Sequence, residues 1–147
     1  DESWKMKTEN WKLKVENWKM KTEKIENKKG LLAEKTIDFA IRIVKFYRYL
    51  SDEKKEYILS KQILKSGTSI GANVRESRNA QSVLDFINKL NIALKEADET
   101  QYWLEIMEKS EIINSTQIKN LNEDLSEIIA ILVSSIKTLK LKLKEEK

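Results

Sequence analysis

From Leu31 onward, apolar residues recur every three or four positions in four runs separated by short polar breaks. In the first run, Phe39, Ile43, Phe46 and Leu50 form one stripe, with Ala40, Val44 and Tyr47 beside it. The spacing predicts a helix from about Leu31 to Leu50, with an apolar face wide enough for more than one neighbour. Lys35, Arg42, Lys45 and Tyr49 then fall along its opposite side. Ser51-Asp52 has the residue types of a helix start, so a second helix is expected from about Asp52 to Asn79. Ser82, with Asp85 three residues on, matches a capping box for a third helix running to about Ser110. Phe86, Leu90, Ala93, Ala97, Leu104 and Met107 mark its buried face, and Tyr102-Trp103 adds bulk near its end. Asn114-Ser115-Thr116 reads as a turn and cap. The fourth helix runs from about Thr116 into the tail, where Leu121, Leu125, Ile128, Leu132, Ile136, Leu139 and Leu143 keep a sustained stripe that Ile129 and Val133 widen. Four amphipathic helices with short connections predict an all-α, antiparallel up-down four-helix bundle.

The second helix contains an unusual segment, Ser66-Gly-Thr-Ser-Ile-Gly-Ala-Asn-Val74. Ile63, Leu64, Ile70 and Val74 hold the helical rhythm through it. Each glycine inside a helix costs about 1 kcal/mol relative to alanine, and the chain has only three glycines. Placing Gly67 and Gly71 there points to close approach of a neighbouring helix. Ser66, Ser69 and Asn73 make a small polar stripe whose side chains are expected to bond to backbone carbonyls. Ser66, Gly67, Ser69, Gly71 and Asn73 therefore form the predicted helix-packing set. The segment matches neither common phosphate-binding glycine fingerprint.

Ahead of Gly30 the pattern changes. Glu2-Ser-Trp-Lys-Met-Lys-Thr8 is followed by Glu9-Asn-Trp-Lys-Leu-Lys-Val15, Glu16-Asn-Trp-Lys-Met-Lys-Thr22 and a degenerate Glu23-Lys-Ile-Glu-Asn-Lys-Lys29. Trp4, Thr8, Trp11, Val15, Trp18, Thr22 and Ile25 alternate spacings of four and three, with tryptophan or Ile25 at d and Thr or Val at a. A strand would change face at every seven-residue repeat, so helix is preferred. Trp at d and Thr at a make a poor coiled-coil seam. The chain is thus expected to divide at Gly30 into a heptad-repeat arm, 1–30, helical or poorly ordered, and a four-helix bundle domain, 31–147.

Composition narrows the chemistry. Residues 1–30 carry nine Lys and six Asp/Glu, and residues 137–147 carry five Lys and two Glu, so both ends are basic around a slightly acidic middle. Three sets of cations are candidates for nucleic-acid phosphate: Lys35, Arg42, Lys45 and Arg48; Arg75 and Arg78; and Lys137, Lys140, Lys144 and Lys147. With no cysteine, disulfides and thiolate metal sites are excluded, which fits a reducing compartment. The longest apolar run, Ile128 to Val133, is far short of a membrane span, and the first 30 residues lack the apolar core of a secretory signal. A soluble cytoplasmic protein is expected.

The chain has no histidine. That removes the usual Glu-x-x-His ligands of metal-binding bundles and every Ser-His or Cys-His arrangement. Glu96, Asp98 and Glu99 cluster on the third helix, but only Glu96 and Glu99 share a face. They read as solvated or salt-bridged carboxylates, with Lys95 and Arg75 as candidate partners. No catalytic residue, metal site or cofactor is expected, and the protein is read as a non-enzyme.

The residues Ser66-Gly-Thr-Ser-Ile-Gly-Ala-Asn-Val74, Asp85-Phe86, Ile92-Ala-Leu-Lys-Glu-Ala97 and Glu99-Thr-Gln-Tyr-Trp-Leu104 resemble the four-helix bundle family named for the 23S ribosomal RNA intervening-sequence proteins. The match covers roughly Ile37 to Lys140. It is more distantly similar to the accessory proteins of diversity-generating retroelements. The resemblance implies a small helical subunit that assembles as a homo-oligomer, commonly a ring of five. For the retroelement relatives it implies a basic surface that binds nucleic acid and a reverse transcriptase. Arg75-Glu76-Ser77-Arg78-Asn79 departs from the family's usual glutamate- and alanine-rich turn, and the repeat arm lies outside its pattern. The expected function is a self-assembling adaptor that contacts RNA or DNA, or else a structural oligomer that engages a protein partner through the tryptophan-bearing arm.

Overall fold

The computed structural model describes residues 2–145, apart from the side chains of Glu2, Trp18, Lys21, Thr22, Lys24, Ile25 and Glu26. Four helices cover most of these residues: α1 (Glu2–Asp52), α2 (Leu59–Ser77), α3 (Val83–Lys109) and α4 (Ser115–Glu145). The chain divides into two compact units, Asp1–Leu31 and Leu32–Lys147. The protein is all-α, and its second unit is an antiparallel up-down four-helix bundle.

The topology follows from which residues meet. Gly67 faces Ile43 and Gly71 faces Thr36, so α2 runs against α1. Ser66 meets Thr100, and Glu76 meets Lys89, so α3 runs against α2. Gln117, Asp124 and Glu127 meet Tyr49, Arg42 and Lys35 in turn, so α4 runs against α1. With α3 also packed on α4, each helix of this unit has two neighbours around one core. Ile43, Leu50, Ile63, Ile70, Met107, Leu125 and Leu132 are fully buried there. Each such side chain contributes about 1.5–3 kcal/mol of hydrophobic stabilisation.

The small-residue segment explains how α1 and α2 come together. A Cβ on Gly67 would lie 2.8 Å from Cγ1 and 2.9 Å from Cγ2 of Ile43. Ile43 is β-branched and has one strongly preferred helical rotamer, so it has little room to yield. At Gly71 the corresponding approach is 3.3 Å to the Thr36 backbone oxygen, a tight but less severe contact. Toward α3, the buried Ser66 hydroxyl lies 2.9 Å from that of Thr100. Ser69 and Asn73 instead bond their own helix: Ser69 donates to the Lys65 carbonyl at 2.6 Å and Asn73 to the Ser69 carbonyl at 2.8 Å.

Several boundaries differ from the pattern-based expectation. Ser51 and Asp52 end α1 and do not cap α2. The chain turns instead through Lys55, at φ 55°, and the Glu56 N–H donates back to the Leu50 carbonyl at 2.9 Å. The Glu56 carboxylate then accepts the N–H groups of Ile58, Leu59 and Ser60 at 3.0, 2.9 and 2.8 Å, satisfying donors that the start of α2 leaves open. Burial pushes the Glu56 carboxyl up, but these bonds outweigh it and hold the group below its ordinary range. Gly30 does not interrupt the backbone, which stays helical across it.

The other caps are closer to expectation. Ser82 accepts from the Asp85 N–H at 3.0 Å, and Asp85 accepts from the Gln81 N–H. α3 ends in a Schellman turn with Glu111 at φ 63°: the Ile112 N–H reaches the Met107 carbonyl and the Glu111 N–H the Glu108 carbonyl. α4 starts at Ser115 because Asn114 and Gln117 exchange two bonds of 2.9 Å. Ile87 and Thr100 join the α3 core face, whereas Phe86 is only half-buried.

Candidate nucleic-acid interface

The structure separates the predicted cations into three groups. Lys35 and Arg42 do not lie on the outer side of α1. They reach α4, where Lys35 pairs with Glu127 and Arg42 with Asp124. Together with Asp38 and Ile41 these four line a groove of about 380 Å³ between the two helices. Each of these two cations is thus engaged by a carboxylate of α4. The partners sit on a helix about eighty to ninety residues away in sequence, so local pattern gave no signal of the pairing.

Lys45 and Arg48 are exposed near the C-terminal end of α1. Arg75 and Arg78 are exposed at the end of α2, and Lys137, Lys140 and Lys144 are exposed along the last turns of α4. Lys147 lies outside the described residues. Antiparallel packing brings the C-terminal ends of α2 and α4 to one end of the bundle and places Lys45 and Arg48 toward the other. At the α2–α4 end, Lys89 is engaged by Glu76 at 3.1 Å. None of Arg75, Arg78, Lys137, Lys140 and Lys144 has an acidic partner among the described residues. Arg75 in the last turn of α2 and Lys144 in the last turn of α4 each partly offset the dipole of their own helix.

The acidic cluster on α3 is resolved differently. Burial, and then the neighbouring Glu99 charge, push the Glu96 carboxyl above its ordinary range, while Lys65 of α2 opposes them. The cation facing Glu96 is thus Lys65, in place of the Lys95 and Arg75 expected from sequence. No group of three carboxylates that could hold a metal ion occurs among the described residues.

Comparison with known proteins supplies the context for this surface. The profile of the 23S rRNA-intervening sequence proteins matches residues 28–134, well over half of the chain. The chain belongs to the 23S rRNA-intervening sequence protein family. It is 55% identical to a crystal structure of a protein of unknown function from the S23 ribosomal protein family of Bacteroides thetaiotaomicron. That likeness has a TM-score of 0.73 and covers 75% of this chain and 98% of the other. No curated protein is significantly similar to it. The family match stops short of Lys137, Lys140 and Lys144, so these residues are features of this chain beyond the matched region.

One family-covered surface escaped the sequence-based assignment. Ile37 and Ile41 are 41% and 49% exposed, on the side of α1 opposite the Phe39–Ile43 core contact. With half-buried Val44 they stand at i, i+4 and i+7, a spacing visible in sequence, where only Val44 is placed, beside the core stripe. Among the described residues, no helix is long and apolar enough to cross a membrane.

Proposed function

We propose that this protein is a non-enzymatic, self-assembling four-helix bundle that contacts nucleic-acid phosphate through the end of the bundle formed by α2 and α4. The observation that carries this reading is that antiparallel packing puts Arg75 and Arg78 of α2 and Lys137, Lys140 and Lys144 of α4 toward the same end of the bundle, all exposed and without acidic partners among the described residues. Contacts of this kind go to phosphate and are mostly indifferent to base sequence. Assembly multiplies the surface by the number of subunits, and exposed Ile37 and Ile41, with half-buried Val44 beside them, form the face that favours assembly.

Binding of a single-stranded RNA measured across salt concentrations tests the phosphate contact. Replacing Lys137, Lys140 and Lys144 with alanine should weaken binding and flatten the dependence of log K on log salt by about 2, at about 0.7 per phosphate neutralised. No binding by the intact protein at low salt would dismiss it. Light scattering tests assembly: Ile41→Glu should lower the molar mass of an oligomer, and a monomeric parent protein would remove the multiplied surface.

A further inference from the structure

The arm carries a second charged surface with a different composition. With about 100° between successive helical residues, Trp4, Thr8, Trp11 and Val15 align along one face. Lys5, Lys12 and Lys19 flank that face on one side, and Lys7 and Lys14 on the other; all five are exposed. In heptad terms the e and g positions of the first three repeats are lysine. Glu9 and Glu16 lie farther round, toward Met6, Leu13 and Met20 on the opposite face. Trp4 and Trp11 are 69% and 65% exposed, and the Thr8 hydroxyl turns back to the Trp4 carbonyl at 2.9 Å. One face thus presents indole rings about 10 Å apart, at a rise of about 1.5 Å per residue over one repeat, between two rows of cations and no acid.

We infer that this face binds single-stranded nucleic acid, with Trp4 and Trp11 stacking on bases and the lysine rows holding phosphates. A second copy of the arm is a poor occupant, because e and g lysines of two such faces would oppose each other. A bilayer is also a poor occupant: the apolar residues are split between opposite faces, so a helix lying in the interface could bury only one set. The inference shares with the preceding section only the class of ligand, and it stands or falls on different residues.

The test uses the full chain and fluorescence anisotropy of labelled oligo(dT), with a duplex of equal length, poly-glutamate and phosphatidylserine vesicles as competitors. The double variant Trp4→Leu/Trp11→Leu should lose about tenfold or more in oligo(dT) affinity, with its salt dependence unchanged and its preference for single strand over duplex gone. Lys7→Gln/Lys14→Gln should keep that preference and flatten the salt slope by about 1.4. Unchanged oligo(dT) affinity in the tryptophan variant overturns the inference. So does a parent protein that binds duplex equally well, or one displaced equally well by poly-glutamate or the vesicles at matched charge. If Lys137, Lys140 and Lys144 matter and the tryptophans do not, the bundle end survives and the arm face falls. If the tryptophans matter and those three lysines do not, the arm face survives and the bundle end falls.

Discussion

α4 and the arm use the same seven-residue spacing to opposite ends. Leu125 and Leu132 recur seven apart and are completely buried, whereas Trp4 and Trp11 recur seven apart and remain about two-thirds exposed. A hydrophobic period therefore designates a face without guaranteeing an occupant. The flanking charges separate the two cases. Beside the α4 stripe, Asp124 and Glu127 meet Arg42 and Lys35 of α1, which gives the helix a complementary neighbour within the bundle. Beside Trp4, Thr8, Trp11 and Val15 every flanking charge is lysine, which suits an anionic complement.

The largest test of this contrast removes one side chain from each stripe. Leu132→Ala should destabilise the bundle by about 2–5 kcal/mol, because a fully buried side chain leaves a cavity. Trp11→Ala should leave the unfolding midpoint within about 0.5 kcal/mol of the parent in urea denaturation, although the side chain it removes is larger. Equal losses at the two sites would show that the arm's face is also packed.

A smaller effect sharpens the comparison at the glycines. Gly67→Ala should cost about 1–2 kcal/mol, since the clash with Ile43 outweighs the gain in helix propensity. At Gly30 nothing lies within 4 Å of an added Cβ, so Gly30→Ala should raise helix content and stabilise locally by up to about 1 kcal/mol. Thermal unfolding followed by circular dichroism reads both, and the signs should be opposite.

Glu56→Gln removes the carboxylate that holds three N–H groups at the start of α2 and should cost about 1 kcal/mol near neutral pH. The folded-state pKa of Glu56 is lowered, so its contribution is present above the unfolded carboxylate range. It is lost as pH falls through the folded value. The gap between parent and variant should therefore close in acid. Glu96 carries the opposite sign: its ionisation disfavours the folded state, and Glu96→Gln should help most above the carboxylate range. The smallest expected change is a gain of about 0.5–1 kcal/mol for Glu111→Gly, which relieves a left-handed residue at the end of α3.

The helical pattern made much of the bundle legible. Leu121 through Leu139 are buried as the stripe predicts, and Ser66, Gly67 and Gly71 of α2 lie against α1 and α3. What escaped depended on distance or on competition between equally plausible local signals. Ser51-Asp52 has good cap chemistry, but Glu56 sits where its carboxylate satisfies the actual helix start. Lys35 and Arg42 read as candidate phosphate contacts on the side opposite the apolar stripe because the carboxylates that pair with them come from α4. The Trp18, Thr22 and Ile25 positions of the predicted seam lie outside the described side chains. At Trp4 and Trp11 the same pattern is exposed.

The repeat has one more consequence, for inheritance. Seven residues wind a helix through nearly two whole turns, so each added or deleted copy shifts the tryptophan face by only about 20°. Slippage of the short coding unit behind Glu-Asn-Trp-Lys-Met-Lys-Thr can lengthen or shorten the row of rings while keeping them aligned. The number of rings can then drift between generations as a graded trait, with each change adding or removing a whole unit of surface.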